Sequence, residues 1–211
     1  HVRLSGETRP ITAVSGPEVV RNDALEVRVR WVDRTPDSAF YRELILTAGA
    51  QEVVFRLVVD WFERDALLKV RFPTAVDGGH TVYESPYGSI SHPDDGSEWA
   101  GQNWISHDGT GPAGGLGVAV FNDGTYSFSV EDAVIGISVC RGARDMDPRM
   151  DEGRNELRYA IVGHGGSWHE ADVPARALAF NRTPRAFQES RHYGELPNWG
   201  ARNNEYALPS R

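Results

Sequence analysis

The sequence predicts an all-β fold, built as a sandwich or a barrel, with one short helix near the C-terminus. Three observations predict it. Apolar and polar residues alternate with period two along many short segments. Turn-forming residues recur between those segments. A helical pattern is found in one place.

The segments follow in order. "LEVRVRW" sets Leu25, Val27, Val29 and Trp31 on one face and Glu26, Arg28 and Arg30 on the other, the mark of a half-buried strand. "EVVFRLVVDW" is more continuously apolar and is expected to be buried on both faces. "LLKVRF" alternates Leu68, Val70 and Phe72 with Lys69 and Arg71. "TVYES", "LGVAVFN", "TYSFSV", "AVIGISVC" and "ELRYAIVG" read as further strands. Asn122-Asp123-Gly124 falls between two of them and signals a hairpin. The helix is expected from about His169 to Arg182, with acids early and Pro184 as its stop. Two long loops are expected, Ser85–Ala113 and Gly142–Asn155. Residues 1–188 form the expected β domain, and 189–211 an irregular tail or linker.

Charge narrows the function. The chain has 211 residues and a formal net charge of −8, which excludes nucleic acid and anionic membrane surfaces as partners. Between Phe72 and Cys140 there is no Lys or Arg but there are nine acids, a balance that suits a hydroxyl-rich or cationic ligand. The single cysteine, Cys140, permits no intrachain disulfide and favours a reducing, cytoplasmic setting. No apolar run is long enough to span a membrane.

Several constellations could carry chemistry. Asp60, Trp61 and Glu63 put two carboxylates beside an aromatic ring, as either a catalytic pair or a packed turn. His164 and His169 flank a Gly-Gly loop without standard metal-ligand spacing. Tyr83, Glu84, Tyr87, His92, Trp99 and Trp104 supply aromatic faces with nearby polar groups, the composition of a sugar-stacking site.

Four stretches then line up with one family. "VDWFERDALLKVRFPTAV" resembles the V-D-W-x-E-x-x-x-L-L-K-V-x-F-P pattern of glycoside hydrolase family 38 α-mannosidases. "VYESPYGSISHP" resembles their Y-E-x-x-[FY]-G-x-x-x-R-P, with His92 in place of Arg. "GLGVAVFNDGTYSF" resembles G-[FY]-G-V-A-L-L-N-D-x-K-Y, with Thr125 in place of Lys. "SVCRGARDMDPRMDEGRNELRYAIVGHGGSW" matches a fourth block through Arg141, Asp147, Asp151, Tyr159 and His164, with Gly163 in place of Pro. The blocks run in order from Glu52 to Asn181.

The resemblance implies a large antiparallel β-sandwich, the galactose mutarotase-like supersandwich of the family's C-terminal part. It implies a fragment inactive alone. The zinc ion and the nucleophile would belong to an N-terminal catalytic domain absent here. This chain would then hold no catalytic residue, metal ligand or cofactor of its own. Its partners would be mannosides and that catalytic domain, with room for a homo-oligomer. Tyr83, Glu84, Tyr87 and His92 would approach the sugar cleft, joined by Asn122 and Asp123 unless these two only make a turn. Asp60 and Glu63 would stabilise a turn. Two rival readings are a free-standing carbohydrate-binding module and a mutarotase-like enzyme using His92 with Glu84.

Overall fold

The computed structural model describes residues 6–182 apart from 144, 146 and 148. The expected tail at 189–211 lies outside the described residues.

Strands dominate, as the alternation predicts. They are β1 (Thr12–Asn22), β2 (Glu26–Arg34), β3 (Ala39–Thr47), β4 (Val53–Trp61), β5 (Ala66–Pro73), β6 (Asp77–Ser85) and β7 (Gly88–His92). After them come β8 (Trp99–Ala100), β9 (Trp104–Gly111), β10 (Gly114–Asn122), β11 (Ser127–Glu131), β12 (Val134–Gly142) and β13 (Gly153–Gly165). A large sheet runs β1-β2-β3-β4-β13-β10-β9-β6-β7, and a smaller one runs β5-β12-β11-β8. Every ladder is antiparallel. The architecture is the expected sandwich.

The core lies between the sheets. Leu57, Val59, Tyr83, Ile105 and Val120 of the large sheet meet Phe128, Ile135 and Ile137 of the small one. Removing a buried side chain of this size typically costs about 3–5 kcal/mol for Phe→Ala. A second core forms on the other face of the large sheet, where α1 (Val173–Asn181) sets Val173 and Ala177 against Phe121, Ala160 and Val162. The β4 segment is therefore buried on both sides, with Leu57, Val58 and Val59 all in the interior.

Three expectations change. The expected loop Ser85–Ala113 contains β7, β8 and β9, because Ser106, His107 and Asp108 are buried polar residues that hide the strand signal. The helix starts later than expected: Asp172 sits in the left-handed region at φ 52° and Pro174 opens the first turn. The Asn122-Asp123-Gly124 turn is real but makes no hairpin. β10 pairs with β9 and β13, whereas β11 pairs with β8 and β12, so the turn carries the chain between sheets. The Trp61–Asp65 turn does the same between β4 and β5.

Candidate functional site

That second crossing explains the Asp60–Trp61–Glu63 constellation. Trp61 is buried in the core. The Glu63 side chain is only 4% exposed and accepts hydrogen bonds from Arg9 at 2.6 Å and from the Thr35 hydroxyl. The Phe62 N–H donates to Ser38 Oγ at 2.9 Å. Asp60 faces Arg154 at 3.5 Å. The two acids thus have separate partners, and the constellation is a braced turn.

The aromatic group is built on the β6–β7 hairpin. The register pairs Thr81 with His92, Tyr83 with Ile90 and Glu84 with Ser89. In an antiparallel ladder, paired residues share a face, so Tyr83 and His92 lie together while Glu84 points the opposite way. The His92 ring stacks on Trp99 at 4.1 Å and 3°, and meets Tyr83 edge-on at 5.2 Å. Glu84 Oε2 accepts the Asn103 N–H at 2.6 Å on the other side. A convergent His92–Glu84 acid–base pair is therefore not formed, which removes the mutarotase-like reading.

The remaining expected residues divide into frame and surface. Tyr83 is 0% exposed; burial first, then the carboxylates of Asp94, Glu98 and Asp95, push its phenol above the usual value. Asn122 is buried as well. Its Nδ2 donates to Gln102 O at 2.8 Å, and its Oδ1 accepts the Gly124 and Thr125 N–H groups at 3.0 and 2.9 Å. Glu84 and Asn122 thus meet through residues 102–103. Asp123 Oδ1 accepts the Arg158 N–H at 2.8 Å. Tyr87 stands fully exposed at the hairpin tip, with φ at 66°, a conformation uncommon outside glycine.

Two buried polar groups were hidden in the sequence. Ser106 Oγ donates to Asp108 Oδ1 at 2.6 Å and lies 3.0 Å from His164 Nε2. With its proton directed at the carboxylate and its side chain buried, Ser106 is no nucleophile. Asp108 Oδ2 accepts the Trp168 N–H at 2.8 Å, fixing the Gly-rich turn after β13. On the opposite face of β9, His107 Nδ1 shares a 2.9 Å hydrogen bond with Thr81 and lies 3.5 Å from Asp94. Asp94 and His107 line a cavity of about 470 Å³, with Asp77 and Asp132 at its wall. None of the six expected sugar residues lines it. The alternation in "WISHD" was the available signal, since it puts Ser106 and Asp108 on one face and His107 on the other. Among the described residues, no group of three His, Cys, Asp or Glu side chains is arranged to hold a metal ion.

Residues 2–149 match the family described as glycosyl hydrolases family 38 C-terminal domain. The chain belongs to that family. It is similar to human alpha-mannosidase 2C1, with 31% identity over 151 residues, and to the mouse protein of that name, with 30% identity over 155 residues. Each match covers 70% of this chain but 14% of the relative, so the chain spans a small part of their length. The fold of the family C-terminal domain is also that of an alpha-mannosidase crystal structure from Enterococcus faecalis V583. The two align with a TM-score of 0.74 at 16% identity, over 88% of this chain and 26% of the other. No described helix is long and apolar enough to cross a membrane.

Proposed function

We propose that this chain is the sandwich portion of an α-mannosidase. It docks against an N-terminal, zinc-bearing catalytic domain of the same protein and walls part of the cleft for α-mannosides. It has no turnover alone. The observation that carries the reading is the family match over residues 2–149 on a chain that spans 14% of its curated relatives.

The hairpin geometry supports a walling role. Tyr87 offers a free aromatic face to a sugar ring or to the neighbouring domain. Behind it, Tyr83 and Trp99 hold His92 and Phe128 packs on Tyr83, while Glu84 and Asn122 hold residues 102–103. A tip on such a mount loses little entropy on binding.

The test compares this chain with the full-length gene product on an aryl α-mannoside. Hydrolysis by the full-length protein and none by the chain is expected. In the full-length protein, Tyr87→Ala should raise KM or lower kcat without loss of fold. Turnover by the chain alone would overturn the reading. So would saturable mannoside binding by the chain with no activity in the full-length protein, the behaviour of a free-standing carbohydrate-binding module.

A further inference from the structure

The cavity beside His107 lies at the end of the sandwich away from Tyr87. β6 runs from Asp77, at the cavity wall, to Ser85, next to the hairpin tip that carries Tyr87. Two turns shape the wall. The β6–β9 register shifts between Asp77 and His80, and this bulge sets Gly78 and Gly79 against the cavity. Gly79 has φ 98°, and a Cβ there would lie 2.0 Å from the Asp108 carbonyl oxygen, so the position admits only glycine. On the β11–β12 side, Asp132 and Ala133 hold φ of 49° and 58°, the paired positive values of a tight hairpin. The Ala133 carbonyl accepts the Thr74 N–H at 3.0 Å and the Thr74 hydroxyl at 2.9 Å. The wall is therefore fixed before anything binds.

Three carboxylates line this space with no cation between them. Among the described residues, none of Asp77, Asp94 and Asp132 pairs with Arg or Lys. Asp94 Oδ1 is buried and has no hydrogen-bond donor among those residues. A buried carboxylate oxygen left without a donor costs stability until a partner reaches it. The other oxygen of Asp94 lies 3.5 Å from His107 Nδ1, which already shares its bond with Thr81. The His107 side chain is 4% exposed and lines the cavity, and its Nε2 has no partner among the described residues. Burial keeps this ring neutral near pH 7, against the pull of Asp94 and Asp108, and His80 also opposes its protonation. The ring therefore leaves the charge of Asp94 uncompensated.

We propose that this cavity binds an alkylammonium ligand, a small molecule with a primary ammonium on a short methylene chain. An ammonium carries three N–H donors. One goes to Asp94 Oδ1 and a second to Nε2 of His107, whose Nδ1–H then donates to Thr81. Asp77 and Asp132, both exposed, attract the cation at the mouth. Val76 and Ala133 give the methylenes an apolar wall, as protein surfaces do for lysine stems. A volume of about 470 Å³ is that of an ordinary small-molecule site. A bare metal ion fits less well, because no three ligating side chains converge among the described residues. A neutral sugar also fits less well, since its hydroxyls need donors as well as acceptors and the carboxylates only accept.

Calorimetric titration of the full-length gene product with putrescine, in about 0.15 M salt, tests the proposal, with butanediol as the neutral probe. Saturable binding of the diamine and none of the diol is expected. Asp94→Asn removes the buried charge and should weaken binding at least about tenfold. Asp132→Asn keeps a residue that tolerates positive φ and should weaken it about two- to fivefold with the fold intact. Putrescine should also slow hydrogen exchange at residues 76–80 and 132–134. No saturable binding at millimolar putrescine would overturn the proposal. So would unchanged affinity in both variants, the mark of diffuse attraction to an acidic chain, or equal binding of the diol. If Asp94→Asn does not fold, Asp132→Asn and the exchange pattern decide. None of these readings uses α-mannoside hydrolysis, so they stand apart from the test of the proposed function.

Discussion

Glu63 shows how one side chain decides between two chemistries. Its sequence neighbours suggest a carboxylate pair, but its bonds to Arg9 and Thr35 make it a brace. Glu63→Ala removes the carboxylate both donors share in a part-buried turn, leaving Arg9 the Arg64 carbonyl at 2.8 Å and Thr35 the Ser38 carbonyl at 3.4 Å. A loss of about 2–3 kcal/mol of unfolding free energy is expected, measured by urea titration. Two other residues give tests that read their surroundings. Burial, with Asp151 adding to it, pushes the Cys140 thiol up to about 12. Cys140 should therefore resist a disulfide reagent near neutral pH and react at once in denaturant; fast labelling of the native chain would contradict the packing. Burial also lowers the pKa of His107 below 6.5, outweighing the pull of Asp94 and Asp108. The folded state then binds a proton less readily than the unfolded one. Stability from this group is present above about pH 6.5 and is lost as the pH falls below it. The urea midpoint should decline over that window, and His107→Gln should flatten the decline.

At the level of elements, the close crossings between sheets are the vulnerable points. A Cβ on Gly142, at the end of β12, would lie 1.9 Å from the Glu63 carbonyl oxygen, a backbone atom that cannot step aside. Gly142→Ala is expected to cost at least about 3 kcal/mol or to prevent folding, read by circular dichroism and urea titration. The sequence revealed the elements unevenly for the same physical reason. The runs at β2, β4, β5, β10 and β12 were legible because apolar residues alternate or accumulate there. β9 was not, because Ser106, His107 and Asp108 are buried through hydrogen bonds instead of apolar character. β1 was not, because an exposed edge strand with Pro17 inside it carries no burial pattern. Asn122-Asp123-Gly124 was legible as a turn, but strand pairing is a long-range fact that no turn motif encodes. Of the expected sugar residues, the sequence could not tell the buried Tyr83 and Asn122 from the exposed Tyr87, since residue type alone does not say that Tyr83 lies within β6, Asn122 at the end of β10 and Tyr87 in the turn between β6 and β7.

At the level of the molecule, the two sheets differ in extent. The small sheet and α1 cover the middle of the large one, where Phe40 of β3 still reaches the core, and β1 is exposed along its whole length. Exposed Val14, Val19 and Val20 on β1 leave apolar side chains uncovered at that edge. The family match covers residues 2–149, and the chain spans 14% of its curated relatives. The most direct measurement is the mass of the native polypeptide carrying this sequence, captured with an antibody against the chain and assayed for α-mannoside hydrolysis. A polypeptide several times larger than 23.4 kDa, active on the captured beads, is the expected result. A native polypeptide near that mass, without activity, would contradict it.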